Sequence, residues 1–361
     1  MRQINNPNLD TSAVFERYDP EGMLTCLHEM PELCQRAWQM AMDFDLPQDY
    51  SRITRIVILG MGGSAIGGDL ASSLVASEAK IPILTHRDYN LPAFVDAQTL
   101  VIASSYSGMT EETLSSFEQA LKTESKKLVL TTGGKLQSMA EERNIPAFCF
   151  DYKSQPRAAL PYSLLPILGI LQRLGFSGDK SADVAETVQV LQKLSQRINE
   201  DMPLLHNPAK QLSQRLYGHL PVVYGSGIVS AVARRWKTQI NENSKAWAFY
   251  EVFPELNHNA IVGYQFPAEL ASKLMVVLPH SALLPHRIKL RYRITCQLFQ
   301  EAGVDYQIVD GEGSSALSQM MSLVLFGDYA SYYLAMLNEI DPTPVKSIAF
   351  LKDQLGKDTN K

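Results

Sequence analysis

The chain has few cysteines, four in 361 residues, and none of them forms a Cys-x-x-Cys pair. Thiolate zinc sites and a disulfide framework are therefore not indicated, and Cys26, Cys34, Cys149 and Cys296 read as reduced thiols of a cytoplasmic protein. The seven histidines are scattered and make no HxH or HExxH pair, so no metal cofactor is expected. Positive charge is not in excess either. A net charge of -5 argues against a nucleic-acid or membrane-surface partner. Residues 1–20 are polar and lack the apolar core of a leader. No apolar run is expected to span a bilayer.

What remains is an ordinary globular composition, long enough for two domains. Residues 22–44 carry apolar positions at helical spacing, with Pro31 as a possible break. From Ile56 onward short apolar runs alternate with helical segments. Ile56–Leu59, Ile81–Leu84, Leu100–Ala103, Leu128–Leu130 and Ala147–Phe150 read as strands, and the stretches after Ser64 and Glu111 as helices. Runs without polar alternation predict strands covered on both faces, hence a doubly wound parallel sheet. Residues 181–217 read as a helical connector. A second α/β series starts at Val222, with strands near 274–278 and 306–309 and helices at 286–302 and 315–338. The segments Ile58-Leu59-Gly60-Met61-Gly62-Gly63-Ser64 and Val223-Tyr224-Gly225-Ser226-Gly227-Ile228-Val229 look alike, which suggests two copies of one fold.

Two loops of the first half suit an anion. Gly60-Met61-Gly62-Gly63-Ser64 joins a strand to a helix N-terminus, where free N–H groups attract negative charge. A tight turn with close helix–strand packing explains the glycines equally well. The same loop fits a loose dinucleotide pattern, with Asp88 at the distance of a ribose carboxylate. The next loop, Ser104-Ser105-Tyr106-Ser107-Gly108-Met109-Thr110-Glu111-Glu112-Thr113, clusters hydroxyls at a second helix start. Capping by Ser107 or Thr110 accounts for one hydroxyl. A phosphate monoester accounts for the cluster, and a pyrophosphate on the first loop has no need of it.

These two loops together resemble the phosphate site of the SIS-domain sugar isomerases. The resemblance implies that Gly63, Ser64, Ser105, Ser107 and Thr110 hold a sugar phosphate, although Met109 stands where that family usually has Asn. Further on, Glu242-Asn243-Ser244-Lys245 and Glu255-Leu256-Asn257-His258-Asn259 match the bifunctional phosphoglucose/phosphomannose isomerase family within that group. Taken singly, Glu242 reads as a helix-end surface carboxylate, His258 as a turn histidine and Arg157 as a surface salt-bridge residue. The resemblance instead implies a catalytic set. Glu242 would be the base between C1 and C2 of the sugar. His258, from the neighbouring subunit of a homodimer, would open the ring. Arg157 would favour a cis-enediolate, and Lys352 (Lys346 as the fallback) would reach the sugar, with Thr343 near the mannose epimer.

The expectation is therefore an α/β protein of two SIS-type doubly wound domains, with no cofactor. Residues 1–50 are a helical lead-in, 51–180 the first domain, 181–217 the connector and 218–361 the second domain with a C-terminal helix. The implied reaction interconverts glucose 6-phosphate and mannose 6-phosphate with fructose 6-phosphate. Two competitors use the same features: a non-catalytic sugar-phosphate regulator on the SIS fold, opposed by the Glu242/His258 pair, and a nucleotide-dependent oxidoreductase, opposed by the serine-rich loop.

Overall fold

The computed structural model describes residues 7–357. A short helix α1 (Ser12–Tyr18) leads into α2 (Met23–Asp43). Leu27, Met30, Cys34, Ala37, Trp38 and Ala41 form the buried stripe of α2, and packing of that stripe holds the helix together through Pro31. No break occurs there. The first alternation is β1 (Arg55–Leu59), α3 (Gly62–Val75), β2 (Ile83–His86), β3 (Thr99–Ser104), α4 (Glu111–Ala120), β4 (Lys126–Thr131), α5 (Gly134–Glu141), β5 (Ala147–Cys149) and α6 (Leu160–Arg173). Its five strands are parallel, in the order β2-β1-β3-β4-β5. Every residue of β3 is buried, as its unbroken apolar run requires. A Cβ at Gly67 would come within 2.3 Å of the Ser163 carbonyl, so α3 and α6 meet backbone to backbone.

Helices α7 (Ser181–Ile198) and α8 (Pro208–Leu216) fill the predicted connector. The Asn207 side chain caps α8, accepting from the Ala209 and Lys210 N–H groups. Then come β6 (Leu220–Gly225), α9 (Ser230–Asn243), β7 (Phe249–Val252), β8 (Leu274–His280), α10 (His286–Ala302), β9 (Asp305–Asp310), α11 (Ala316–Leu337) and α12 (Lys346–Lys357). This sheet is also parallel, in the order β7-β6-β8-β9. The short strand β7 has no counterpart in the sequence reading.

The internal repeat is structural. Val57 pairs with Leu84 in the first sheet and Val222 with Phe249 in the second, so positions 165 residues apart correspond. Gly62 and Gly227 are such a pair, with φ of 50° and 51°. Asp69 and Arg234 are another, and they form an ion pair of 3.3 Å across the seam between the halves.

Helix α11 is apolar and long enough to cross a membrane, with a mean hydropathy of 1.2, which corrects the expectation that no such run exists. It is wholly buried in the protein, packed among α7, α8 and α9. Its Asp328 is buried with Arg235 of α9 at 2.6 Å and accepts from Gln239. One continuous hydrophobic core runs from α2 through α6 and α11 into both sheets.

Candidate active site

Strands β1 and β3 are neighbours, while the chain between them visits β2 on the far side of β1. Loops leaving the carboxyl ends of such a pair splay apart and open a crevice. Both candidate anion loops leave from there. Gly62, in the left-handed region, lets the chain turn into α3, and space around it is open. Ser64 is buried in the first turn of α3, and its Oγ accepts from the Tyr106 N–H at 3.0 Å. The buried Ser105 and the half-buried Thr110 share a hydroxyl hydrogen bond of 2.9 Å. Ser107 is exposed, and its Oγ accepts from the Met109 N–H.

Thr110 is the N-cap residue of α4, yet its side chain makes no cap bond, and neither does Met61 before α3. Capping thus fails to explain these hydroxyls, which gather beside two helix N-termini without side-chain caps. Met109 turns away from the loop, and its sulfur accepts from the Lys135 N–H of α5. Asp88 is bonded within its own loop, to the Tyr89 N–H.

A covalent and hydrogen-bonded path leads from this crevice to the second half. The Tyr106 hydroxyl donates to the Tyr152 carbonyl and accepts from the Ser154 N–H. Gly63 lies so close to the Pro156–Arg157 backbone that a Cβ would come within 2.7 Å of the Pro156 carbonyl. Arg157, only 3% exposed, is no surface residue. Its Nε donates to Asn243 Oδ1 at 2.7 Å, and its Nη2 to the carbonyls of Pro342 and Thr343 at 2.7 and 2.9 Å. Nη1 lies 3.5 Å from the Glu242 carboxylate. Burial pulls the Arg157 pKa down, and Glu242 opposes that shift. Behind it, Arg235 donates to the Arg157 carbonyl, and Asn243 donates to Ser331 of α11.

Glu242 sits in the last turn of α9 and faces a cleft of about 600 Å³, within the range of small-molecule sites. Asn241, Lys245, Asp341, Pro344 and Lys346 also line it. Lys245 follows the helix with φ of 51°. Its ammonium donates to the carbonyls of Glu242 at 2.6 Å and Pro342 at 2.8 Å. Burial, then the charge of Arg157, lowers its pKa to about 8.

Two predicted residues lie apart from this cleft. His258 is exposed at the end of a 3-10 turn and has no hydrogen-bond partner among the described residues. Asn257 fixes that turn by donating to Thr295 and accepting from Arg291, so the histidine is presented outward. Lys352 also stands exposed, because α12 buries none of its residues. Lys346, the first residue of α12, is the lysine of that helix that lines the cleft. Thr343 is buried beside Arg157 with its hydroxyl unpartnered. Sequence reasoning missed Lys245, Asn243 and Asp341 as parts of the site. The Asn-Glu-Asn-x-Lys run held the first two, but their roles depend on where α9 ends.

Residues 205–355 match the model of the bacterial phospho-glucose isomerase C-terminal SIS domain. The chain is 41% identical to the bifunctional phosphoglucose/phosphomannose isomerase of Caldicellulosiruptor bescii, over 93% of this chain and 99% of that one. It is 37% identical to the protein of the same name from Aquifex aeolicus, over 87% and 94%. Its fold is similar to that of the C-terminal domain of glucosamine-fructose-6-phosphate aminotransferase from Francisella tularensis. The TM-score is 0.69 at 16% identity, covering 89% of this chain and 98% of that one.

Proposed function

The chain belongs to the bifunctional phosphoglucose/phosphomannose isomerase family, and from that premise we propose that it interconverts glucose 6-phosphate and mannose 6-phosphate with fructose 6-phosphate. The observation that carries this reading is the path from the hydroxyl loops through Gly63 to the Arg157–Glu242 pair. The phosphate binds to Ser64, Ser105, Ser107 and Thr110 and to the N-termini of α3 and α4. Binding energy at this remote group then holds C1 and C2 of the sugar at Glu242.

Glu242 shuttles the proton between C1 and C2 through a cis-enediol. Arg157 fixes the carboxylate and adds positive charge close to the developing oxyanion. Ring opening needs an acid. The exposed His258 supplies it across a homodimer interface, entering the cleft of a second copy. Exposed apolar side chains in the same half agree with such an interface: Trp247, two residues after Lys245, is 78% exposed and Phe266 81%. Separate measurement of glucose 6-phosphate and mannose 6-phosphate formed from fructose 6-phosphate tests the reading.

A further inference from the structure

We infer that Lys245 is a catalytic residue of this site, whose ammonium donates a hydrogen bond to the oxygen of the sugar that becomes negative beside Glu242. The inference rests on the isomerase reading above. An ammonium has three N–H donors. Two are held by the Glu242 and Pro342 carbonyls, and Lys245 itself lines the cleft. That leaves one donor on a fixed nitrogen, available at the Glu242 end of the cleft. Arg157 adds its charge from beside Glu242: Asn243, Pro342 and Thr343 hold three of its five N–H donors, Nη1 lies 3.5 Å from Glu242, and Lys245, unlike Arg157, lines the cleft.

The backbone gives a second, independent reason. Lys245 stands just past the end of α9 in the left-handed region, where glycine is at ease and a lysine is strained. Capping of the helix does not explain a lysine there, since glycine caps better. The side chain is what the strain retains, and strained residues of this kind cluster at functional sites.

In the step proposed, Glu242 takes the proton from C2 of the open-chain aldose. The C–H electron pair becomes the C1–C2 double bond, and the carbonyl pair settles on O1. Lys245 donates a hydrogen bond to O1 and keeps its proton. Glu242 returns its proton to C1, and the O2 proton passes to O1, which leaves the ketose.

The test compares Lys245→Gly, Lys245→Met and Lys245→Arg in the full chain. The readouts are Tm, kcat and KM for fructose 6-phosphate, and the affinity for a five-carbon aldonate phosphate, whose carboxylate mimics the enediolate. Lys245→Gly relieves the backbone and keeps or raises Tm, while kcat falls about 10- to 100-fold and the aldonate is lost by a similar factor. KM changes little, and Lys245→Met shows the same kinetic loss. The ammonium is present below a pKa of about 8 and lost above it, a value set by burial and by Arg157, Glu242 and Asp341, with Lys346 on the same cleft. Wild-type kcat/KM therefore falls as pH rises through that value, and Lys245→Arg moves the fall upward. Unchanged kcat and aldonate affinity in both Gly and Met variants would overturn the inference. A wild-type chain that binds the aldonate through Lys245 but does not turn over would keep the contact and sink the isomerase reading.

Discussion

Arg157, just ahead of α6 in the first half, stands 3.5 Å from Glu242 at the end of α9 in the second. The guanidinium also holds the turn at Pro342 and Thr343, so one buried side chain ties three segments around the carboxylate. Arg157→Met is expected to cost about 3 kcal/mol of stability, because it leaves several buried acceptors without a donor. Thermal or denaturant unfolding measures this. Glu242→Gln, by contrast, leaves the fold intact and lowers kcat by about 10³-fold, with sugar-phosphate binding retained.

The outward His258 makes a prediction about assembly. Chains carrying Glu242→Gln and chains carrying His258→Ala are each inactive alone. Mixed under conditions that let subunits exchange, they recover about a quarter of wild-type activity, since half of the dimers then hold one intact site. Activity that stays absent after exchange, with mixed dimers demonstrated, would place the histidine in its own chain's site, and a His258→Ala chain active by itself would place it outside catalysis.

The hydroxyl pair Ser105–Thr110 is predicted to act on binding more than on chemistry. Ser105→Ala and Thr110→Ala each raise KM for fructose 6-phosphate about tenfold with kcat changed far less, the signature of lost uniform binding. Steady-state kinetics separate the two parameters. Met109→Asn is expected to leave both nearly unchanged, because the Met109 side chain points to α5.

A further prediction concerns pH and stability. The Glu186 carboxylate of α7 accepts hydrogen bonds from the Ser314 and Ser315 N–H groups and from the Ser314 and Ser318 hydroxyls at the start of α11. These bonds depress its pKa from 4.5 to about 2. The stabilisation is fully present above about 4.5 and disappears as pH falls toward 2. Glu186→Gln therefore lowers Tm at pH 7, and the gap to wild type closes in acid. A constant gap across that range would refute the assignment.

Much of this was legible in the sequence, for identifiable reasons. Unbroken apolar runs such as Leu100–Ala103 announced doubly covered strands, and β3 is buried throughout. The Gly225 segment hinted at the repeat that the matching registers of Val57–Leu84 and Val222–Phe249 make explicit. Strand β7 escaped because it is only four residues long and its burial alternates without a fully buried position. Pro31 misled in the other direction, since tertiary packing outweighs a single lost helix bond. The role of Lys245 depends on a left-handed backbone at a helix end, which a lysine does not advertise. Lys352 was preferred to Lys346 on resemblance alone, and of the two it is Lys346 that lines the cleft.

The most direct test of the central claim is incubation of the wild-type chain with fructose 6-phosphate in EDTA, with glucose 6-phosphate and mannose 6-phosphate quantified separately. The account predicts that both products accumulate and that neither forms with Glu242→Gln. Fructose 6-phosphate that binds but yields neither product would contradict it.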